Sequence, residues 1–201
     1  MVTRDSDVRA ALMKSVIGDH LANPDTLVVE ELGLNRGSCR VDVAVVNGLL
    51  HGYEIKSDAD NLTRLPSQVA SYSAVLDKAT LVVGVSHVER ALPLIPDWWG
   101  VRTVKRGARG AVLIEPLRPA RMNDGVEAAA LALLLWRDEL VEALTPLCSE
   151  KSKLRAPRAQ LAQTLADILP LKQLRPLVRE QVKRRTGWRC HGLRQRHDEM
   201  L

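Results

Sequence analysis

The sequence predicts an α/β fold of element order α-β-β-β-α-β with short β additions, followed by a helical C-terminal region. Three observations predict it. Short apolar or alternating runs cluster between residues 26 and 55 and recur at 79–85, the pattern of strands. Helically spaced apolar residues stand before and between those runs, and beyond residue 124 helical spacing is all that remains.

The first helix is DSDVRAALMKSVIGDHL, in which Val8, Leu12, Val16 and Ile17 recur at helical spacing. Asp5, Ser6 or Asp7 can cap it, and Asn23-Pro24-Asp25 ends it. TLVVEELGL, RVDVAVV and LLHGYEI read as three strands, the last two joined around Asn47-Gly48. LTRLPSQVASYSAVLDK is a helix with Leu62, Leu65, Val69, Tyr72 and Leu76 on one face and Pro66 tolerable only in its first turn. ATLVVGV is continuously apolar, as a strand buried on both faces requires. Shorter strand-like pieces, Val101–Val104 and Ala111–Ile114, flank the basic loop KRGARG. Three helices follow: EAAALALLLWRDELVEAL, RAQLAQTLADIL, and one starting near Pro176 and running into VREQVKRR. Residues 1–120 thus form the α/β unit and 121–201 a helical, basic region.

A chain of 201 residues can bury a core of its own. Its N-terminal stretch mixes acids with bases and lacks the apolar centre of a secretory signal. The longest apolar run, AAALALLLW, is far short of the roughly 20 residues that span a bilayer. A cytoplasmic protein without a membrane partner is expected. Cys39, Cys148 and Cys190 are scattered, with neither a disulfide framework nor a zinc spacing, and Cys190-His191 is read as incidental. Residues 151–201 carry 13 Lys/Arg against 4 Asp/Glu, whereas the first 150 carry 16 against 20. An acidic-leaning front beside a basic tail suits an acid-lined site next to a polyanion-binding surface, and equally a solvated basic helix.

Charges inside the hairpin RVDVAVVNGLLHGYEIKSD are the feature that points to chemistry. A two-residue Asn47-Gly48 loop would pair Asp42 with Tyr53, on the face away from Glu54. A three-residue loop through Val46-Asn47, with Gly48 left-handed, pairs residue 45 with 49 instead. Asp42 then faces Gly52, with Glu54 its diagonal neighbour about 7 Å away and Lys56 further along the same face. Glycine opposite Asp42 would leave open space for a metal or a phosphate. Two close carboxylates repel unless a cation lies between them, and their hard oxygens suit Mg²⁺ or Mn²⁺. Such a metal can activate a water, while Lys56 orients it or neutralises the transition state. The bland alternative is a surface ion pair between Glu54 and Lys56.

Asp42, eleven residues, then Glu54-Ile55-Lys56 resembles the PD-(D/E)XK nuclease superfamily, in a small bacterial and phage branch. The likeness runs from RVDVAVV through VSHVERALPLIPDWWGV, about half the chain, with Val41 where many members carry proline. It implies a restriction-endonuclease-like core, a mixed central sheet flanked by helices. It also implies a metal-dependent nuclease, acting on DNA before other nucleic acids, with a metal-activated water as nucleophile. Asp42 and Glu54 would hold Mg²⁺ or Mn²⁺ and Lys56 would assist. A further acid is implied from the first strand or helix, with Glu31 favoured over Glu30 and Asp7 as metal ligand. Gln68 and Tyr72 match a Q-x-x-x-Y spacing of exonuclease-like branches, with Gln68 read as catalytic and Tyr72 as mostly core.

Lys105, Arg106 and Arg109 are candidate phosphate contacts, as are Lys183, Arg184 and Arg185, with Trp188 available for base stacking. His51 reads as packed or surface, His87 as open between structural and functional roles, and Trp98-Trp99 as core or interface. A homodimer is allowed. Two other classes compete: a catalytically silent member of the fold that binds nucleic acid or protein, and a metal-independent regulator carried by the basic tail.

Overall fold

The computed structural model describes residues 2–188, with residues 109 and 150 excepted. Six strands form one mixed sheet in sequential order: β1 (Leu27–Leu34), β2 (Cys39–Val46), β3 (Leu50–Lys56), β4 (Lys78–Gly84), β5 (Gly100–Arg106) and β6 (Val112–Arg118). β3, β4 and β5 run parallel, and the remaining neighbours are antiparallel. The expected α-β-β-β-α-β order is present. The two short β pieces extend it into full strands.

Helices cover both faces of the sheet. On one side lies α1 (Asp5–Ser15), whose Val8 and Leu12 pack with Val28, Val43, Val45, Tyr53 and Ile55. α2 (Gly18–Leu21) follows. The single helix expected from the periodicity breaks at Val16 and Ile17, where both backbone N–H groups turn to the Leu12 carbonyl. On the other side lie α3 (Leu65–Ser73), α4 (Val88–Ala91) and the C-terminal helices α5 (Ala128–Ala132), α6 (Arg137–Leu144), α7 (Arg158–Ile168) and α8 (Leu171–Arg184). Their apolar faces join Val29, Leu81, Val83 and Trp99 in one core.

Two expectations about the C-terminal helices need correcting. EAAALALLLWRDELVEAL is not one helix: it breaks before Trp136, whose N–H is capped by Glu139 Oε2 at 2.7 Å, and α6 starts there. The last helix begins at Leu171 rather than near Pro176, which sits inside it. The stripe Leu174, Val178 and Val182 is fully buried and carries the helix across the proline.

The hairpin has the three-residue loop that parity requires, but its register lies two residues further on. Val46 pairs with Leu50 and Val43 with Tyr53. Asn47, Gly48 and Leu49 form the loop. Asn47 holds it, with its side-chain oxygen accepting from Leu49 N–H at 3.1 Å and its own N–H donating to the Leu49 carbonyl. Gly48 is not left-handed: the described glycines with positive φ are Gly37, Gly110 and Gly187. Nor does Gly52 open a space. It pairs with Ala44, and a Cβ there would lie 2.5 Å from Leu76 Cδ1 and 2.9 Å from Val41 Cγ1. Gly52 is a packing glycine.

Candidate active site

Continuing the hairpin register one rung places Asp42 directly opposite Glu54. The β2–β3 ladder stops at Val43 and Tyr53, and the Asp42 side chain takes over: its Oδ2 accepts the Ile55 N–H at 2.7 Å. On β3, Lys56 Nζ reaches Glu54 Oε1 at 2.5 Å, as the i, i+2 geometry of a strand allows. Tyr72 of α3 donates its hydroxyl to Glu54 Oε2 and lies 3.1 Å from the Arg40 carbonyl. Asp42, Glu54 and Lys56 therefore form one cluster, with Tyr72 behind it.

The β1–β2 ladder is irregular at the same point. It pairs Glu30 with Val43 and Leu32 with Val41 but skips Glu31 and Asp42. Glu31 has φ 58°, the left-handed region that a glutamate adopts only where surroundings hold it. Side-chain alternation reverses across this rung: Val29, Leu32 and Val41 all face the core under α3, while Val43 faces α1. The bend turns Asp42 toward a cleft of about 630 Å³ lined by Asp5, Arg9, Arg40, Arg64, Gln68 and Ser71, among others.

Electrostatics follow from burial. The Asp42 carboxyl is raised to about 7, first by its desolvation and then by the neighbouring Glu54, with Ile55 N–H and Arg9 pulling the other way. Burial and Glu54 likewise push the Tyr72 hydroxyl well above its ordinary range, so it remains a donor. Glu54 is fully buried and Lys56 is 5 % exposed, so only Asp42 of the three lines the cleft.

Other expected residues fall into place less uniformly. Gln68 lines the cleft, and its Oε1 is buried without a hydrogen-bond partner among the described residues. Glu31 does not join Asp42 and Glu54 as a third ligand. Its carboxylate lies against Arg9 at 3.6 Å and Arg40 at 3.5 Å, and no group of three metal-holding side chains forms among the described residues. Asp7, the helical alternative, is tied to Arg106 instead. Glu30 stands 3.7 Å from Arg9. Tyr72 is core, stacked on Trp99 at 5.4 Å, yet its hydroxyl belongs to the site.

The expected phosphate contacts are largely engaged within the fold. Lys105 pairs with Glu115 at 2.7 Å, Arg106 with Asp7, and Lys183 with Glu180 at 2.7 Å. Arg185 is a structural residue, not a phosphate contact: its side chain is 5 % exposed, binds Glu139 at 2.6 Å and lies over the Trp136 and Trp188 rings. Trp188 is correspondingly packed, donating its indole N–H to the Val182 carbonyl, and is not a free stacking platform. Arg184 is exposed. Arg109, Cys190 and His191 lie outside the described residues. His51 is packed against Tyr53 and hydrogen-bonded to Thr80. His87 is buried beside Arg90.

The site contains functional candidates that sequence reasoning misses. Arg9, Arg40 and Arg64 converge on the cleft from α1, β2 and the start of α3. Arg64, Ser67, Gln68 and Ser71 share the polar face of α3, a stripe legible at spacings of three and four. Arg9 carries no such signal beyond its i, i+4 spacing from Asp5, because its other partners lie on strands 21 to 33 residues away.

The profile of the family described as Bacteriophage P4 protein cII matches residues 2–197 of this chain. The chain belongs to that family. Protein cII of Enterobacteria phage P4 is 33% identical over 79 residues, a match covering 39% of this chain and 30% of that relative's length. A solved protein of unknown function from Silicibacter pomeroyi aligns over 59% of this chain and 75% of its own, at 22% identity and a TM-score of 0.38. No helix among the described residues of this cII-family chain is long and apolar enough to cross a membrane.

Proposed function

We propose that this cII-family chain is a metal-dependent nuclease with a restriction-endonuclease-like core of the PD-(D/E)XK type, hydrolysing phosphodiester bonds of nucleic acid, DNA first. The observation that carries the reading is the convergence of Asp42, Glu54 and Lys56 at the bent end of the β2–β3 hairpin, beside a polar cleft. The donor chemistry fits Mg²⁺ or Mn²⁺. Asp42 and Glu54 bring two hard-oxygen carboxylates together, and the Asp42 carboxyl is raised first by burial and then by the Glu54 charge beside it. Asp42 and Glu54 would hold the cation, which when bound supplies an acidified water and a counter-charge for the phosphate.

The chain's own residues do the rest. Ile55 N–H and Tyr72 fix the two carboxylates, so little reorganisation precedes the reaction. Lys56 holds positive charge against Glu54, fixed beside the carboxylate pair. Arg40, 64 % exposed, and the exposed Arg64 stand at the cleft to take phosphate oxygens. Gln68 lines the cleft with an amide whose buried oxygen has no partner among the described residues.

The test is cleavage of supercoiled, linear, single-stranded, branched and RNA substrates with Mg²⁺, Mn²⁺ or EDTA. Asp42→Asn and Lys56→Ala should each lower the rate by at least about 100-fold while the protein stays folded. Equal cleavage in EDTA, or full activity of Lys56→Ala, would sink the assignment. One observation favours a second reading, a silent nuclease fold that binds nucleic acid: Glu54 and Lys56 are buried and already paired to each other. That reading expects metal-independent binding, unchanged in Asp42→Asn, and no cleavage of any substrate.

A further inference from the structure

Besides Asp5, α1 delivers a base to the site, Arg9. Val8 and Leu12 are fully buried against the sheet, and this anchors the intervening Arg9 over the β1–β2 bend. Its guanidinium donates from Nη1 to the Asp42 main-chain carbonyl at 2.8 Å, a group left outside the ladder where the Glu31–Asp42 rung is skipped. Four carboxylates surround the same guanidinium. Asp42 Oδ1 lies at 3.4 Å, Asp5 Oδ1 at 3.4 Å, Glu31 Oε1 at 3.6 Å and Glu30 Oε2 at 3.7 Å. The Arg9 side chain is 19 % exposed, so solvent screens these contacts only in part.

We infer that Arg9 is the resident counter-cation of this site, competing with a divalent cation for Asp42 and thereby setting the site's cation affinity. The inference rests on the metal-dependent reading above. Guanidinium cannot lose its proton in a protein, so its charge is present at every working pH and is removed from Asp42 only by movement. The main-chain bond holds that charge beside the carboxylate instead of letting it drift into solvent. A positive charge within about 4 Å of a ligand opposes a second cation strongly in a partly buried site, enough to change affinity by about tenfold or more. Asp5 and Glu31 give the guanidinium a place to remain when Asp42 is engaged elsewhere.

The experiment is calorimetric titration of MnCl₂ into the metal-free full chain, comparing wild type with Arg9→Gln, Arg9→Lys, Asp42→Asn and the Arg9→Gln/Asp42→Asn pair. Arg9→Gln should bind Mn²⁺ about tenfold or more tightly than wild type. Arg9→Lys, which keeps the charge, should stay within about threefold of wild type. Asp42→Asn should abolish binding in both backgrounds. Arg9→Met carries the same expectation as Arg9→Gln and serves in its place if the glutamine variant fails to fold. Binding to wild type that depends on Asp42 but is no tighter in Arg9→Gln overturns the inference and leaves the metal reading standing. Absence of Asp42-dependent binding in wild type and Arg9→Gln alike overturns both.

Discussion

Tyr72 and His51 show how a buried polar group in this chain is kept affordable by its partners, with different consequences. Glu54 is fully buried, and Tyr72 and Lys56 engage its two oxygens. Tyr72→Phe removes the hydroxyl but little volume, leaving a buried carboxylate oxygen without its donor. A loss of about 1–3 kcal/mol is expected in urea unfolding, and the proposed Mg²⁺-supported cleavage should fall as Glu54 loses its orientation. Unchanged stability would mean that Glu54 does not need the hydroxyl. His51 titrates near 3 because burial, and then the Lys78 charge, disfavour its imidazolium. The unfolded chain binds that proton near the ordinary value of 6.5, so His51 leaves stability intact above 6.5 and erodes it as pH falls toward 3. Asp42, raised to about 7, slopes the opposite way, so only a comparison isolates His51. In metal-free protein, His51→Gln should gain about 1–2 kcal/mol on wild type between pH 7 and pH 5, read from unfolding midpoints. Parallel pH profiles would rule the effect out.

At the scale of elements, the hairpin decides whether the site exists, and its turn rests on Asn47. The side-chain bond to Leu49 N–H closes the loop, whereas Gly48 has ordinary backbone angles and open space around its Cβ position. Asn47→Ala should therefore cost about 1 kcal/mol, and Gly48→Ala should stay within about 0.5 kcal/mol of wild type. Gly52→Ala, pressing on Leu76 and Val41, should cost about 1–3 kcal/mol. Thermal melts of the three variants check the order, and a sensitive Gly48 with a tolerant Gly52 would reverse this account. The same hairpin shows what sequence can carry. Period-two runs mark the strands and Asn-Gly marks the turn but allows either parity, so Asp42, Glu54 and Lys56 were legible as one cluster only for a three-residue loop. The register was not, because either of two three-residue loops satisfies that parity. Whether glycine faces space or packing depends on Leu76, 24 positions away in sequence. Arg9 and the left-handed Glu31 were illegible for the same reason: their causes are long-range charge and the bend of a sheet.

At the scale of the whole molecule, composition and periodicity change near residue 121, but the core does not divide there. Tyr72, Val75, Leu76 and Trp99 of the α/β part share one buried cluster with Leu131, Leu135, Leu140, Leu161, Leu174 and Val178 of the helical part. Polar contacts cross the same seam. Asn123 donates to the Ser73 and Leu76 carbonyls, and the Glu127 N–H donates to the Ala74 carbonyl. Asp77, 2 % exposed, accepts Leu50 N–H at 2.8 Å beside the hairpin loop, with Arg175 and Arg179 of α8 at 3.3 and 3.4 Å. The helices of the basic region thus brace the hairpin that carries Asp42 and Glu54. Residues 1–120 expressed alone would expose Tyr72 and its apolar neighbours and leave Asp77 buried or half-buried without its cations. Removing one partner of a buried pair costs about 3–5 kcal/mol, a large fraction of a domain's 5–15 kcal/mol. The fragment should accordingly lack dispersed amide resonances and bind neither Mn²⁺ nor DNA, while the full chain unfolds in one cooperative transition. A folded 1–120 fragment, or two separate transitions in the full chain, would show that the helical region is an independent module. In that case the basic helices could evolve without regard to the cleft. With a shared core, substitutions at Arg175 or Arg179 should instead disturb the hairpin, and with it the proposed cleavage, through their pairing with Asp77.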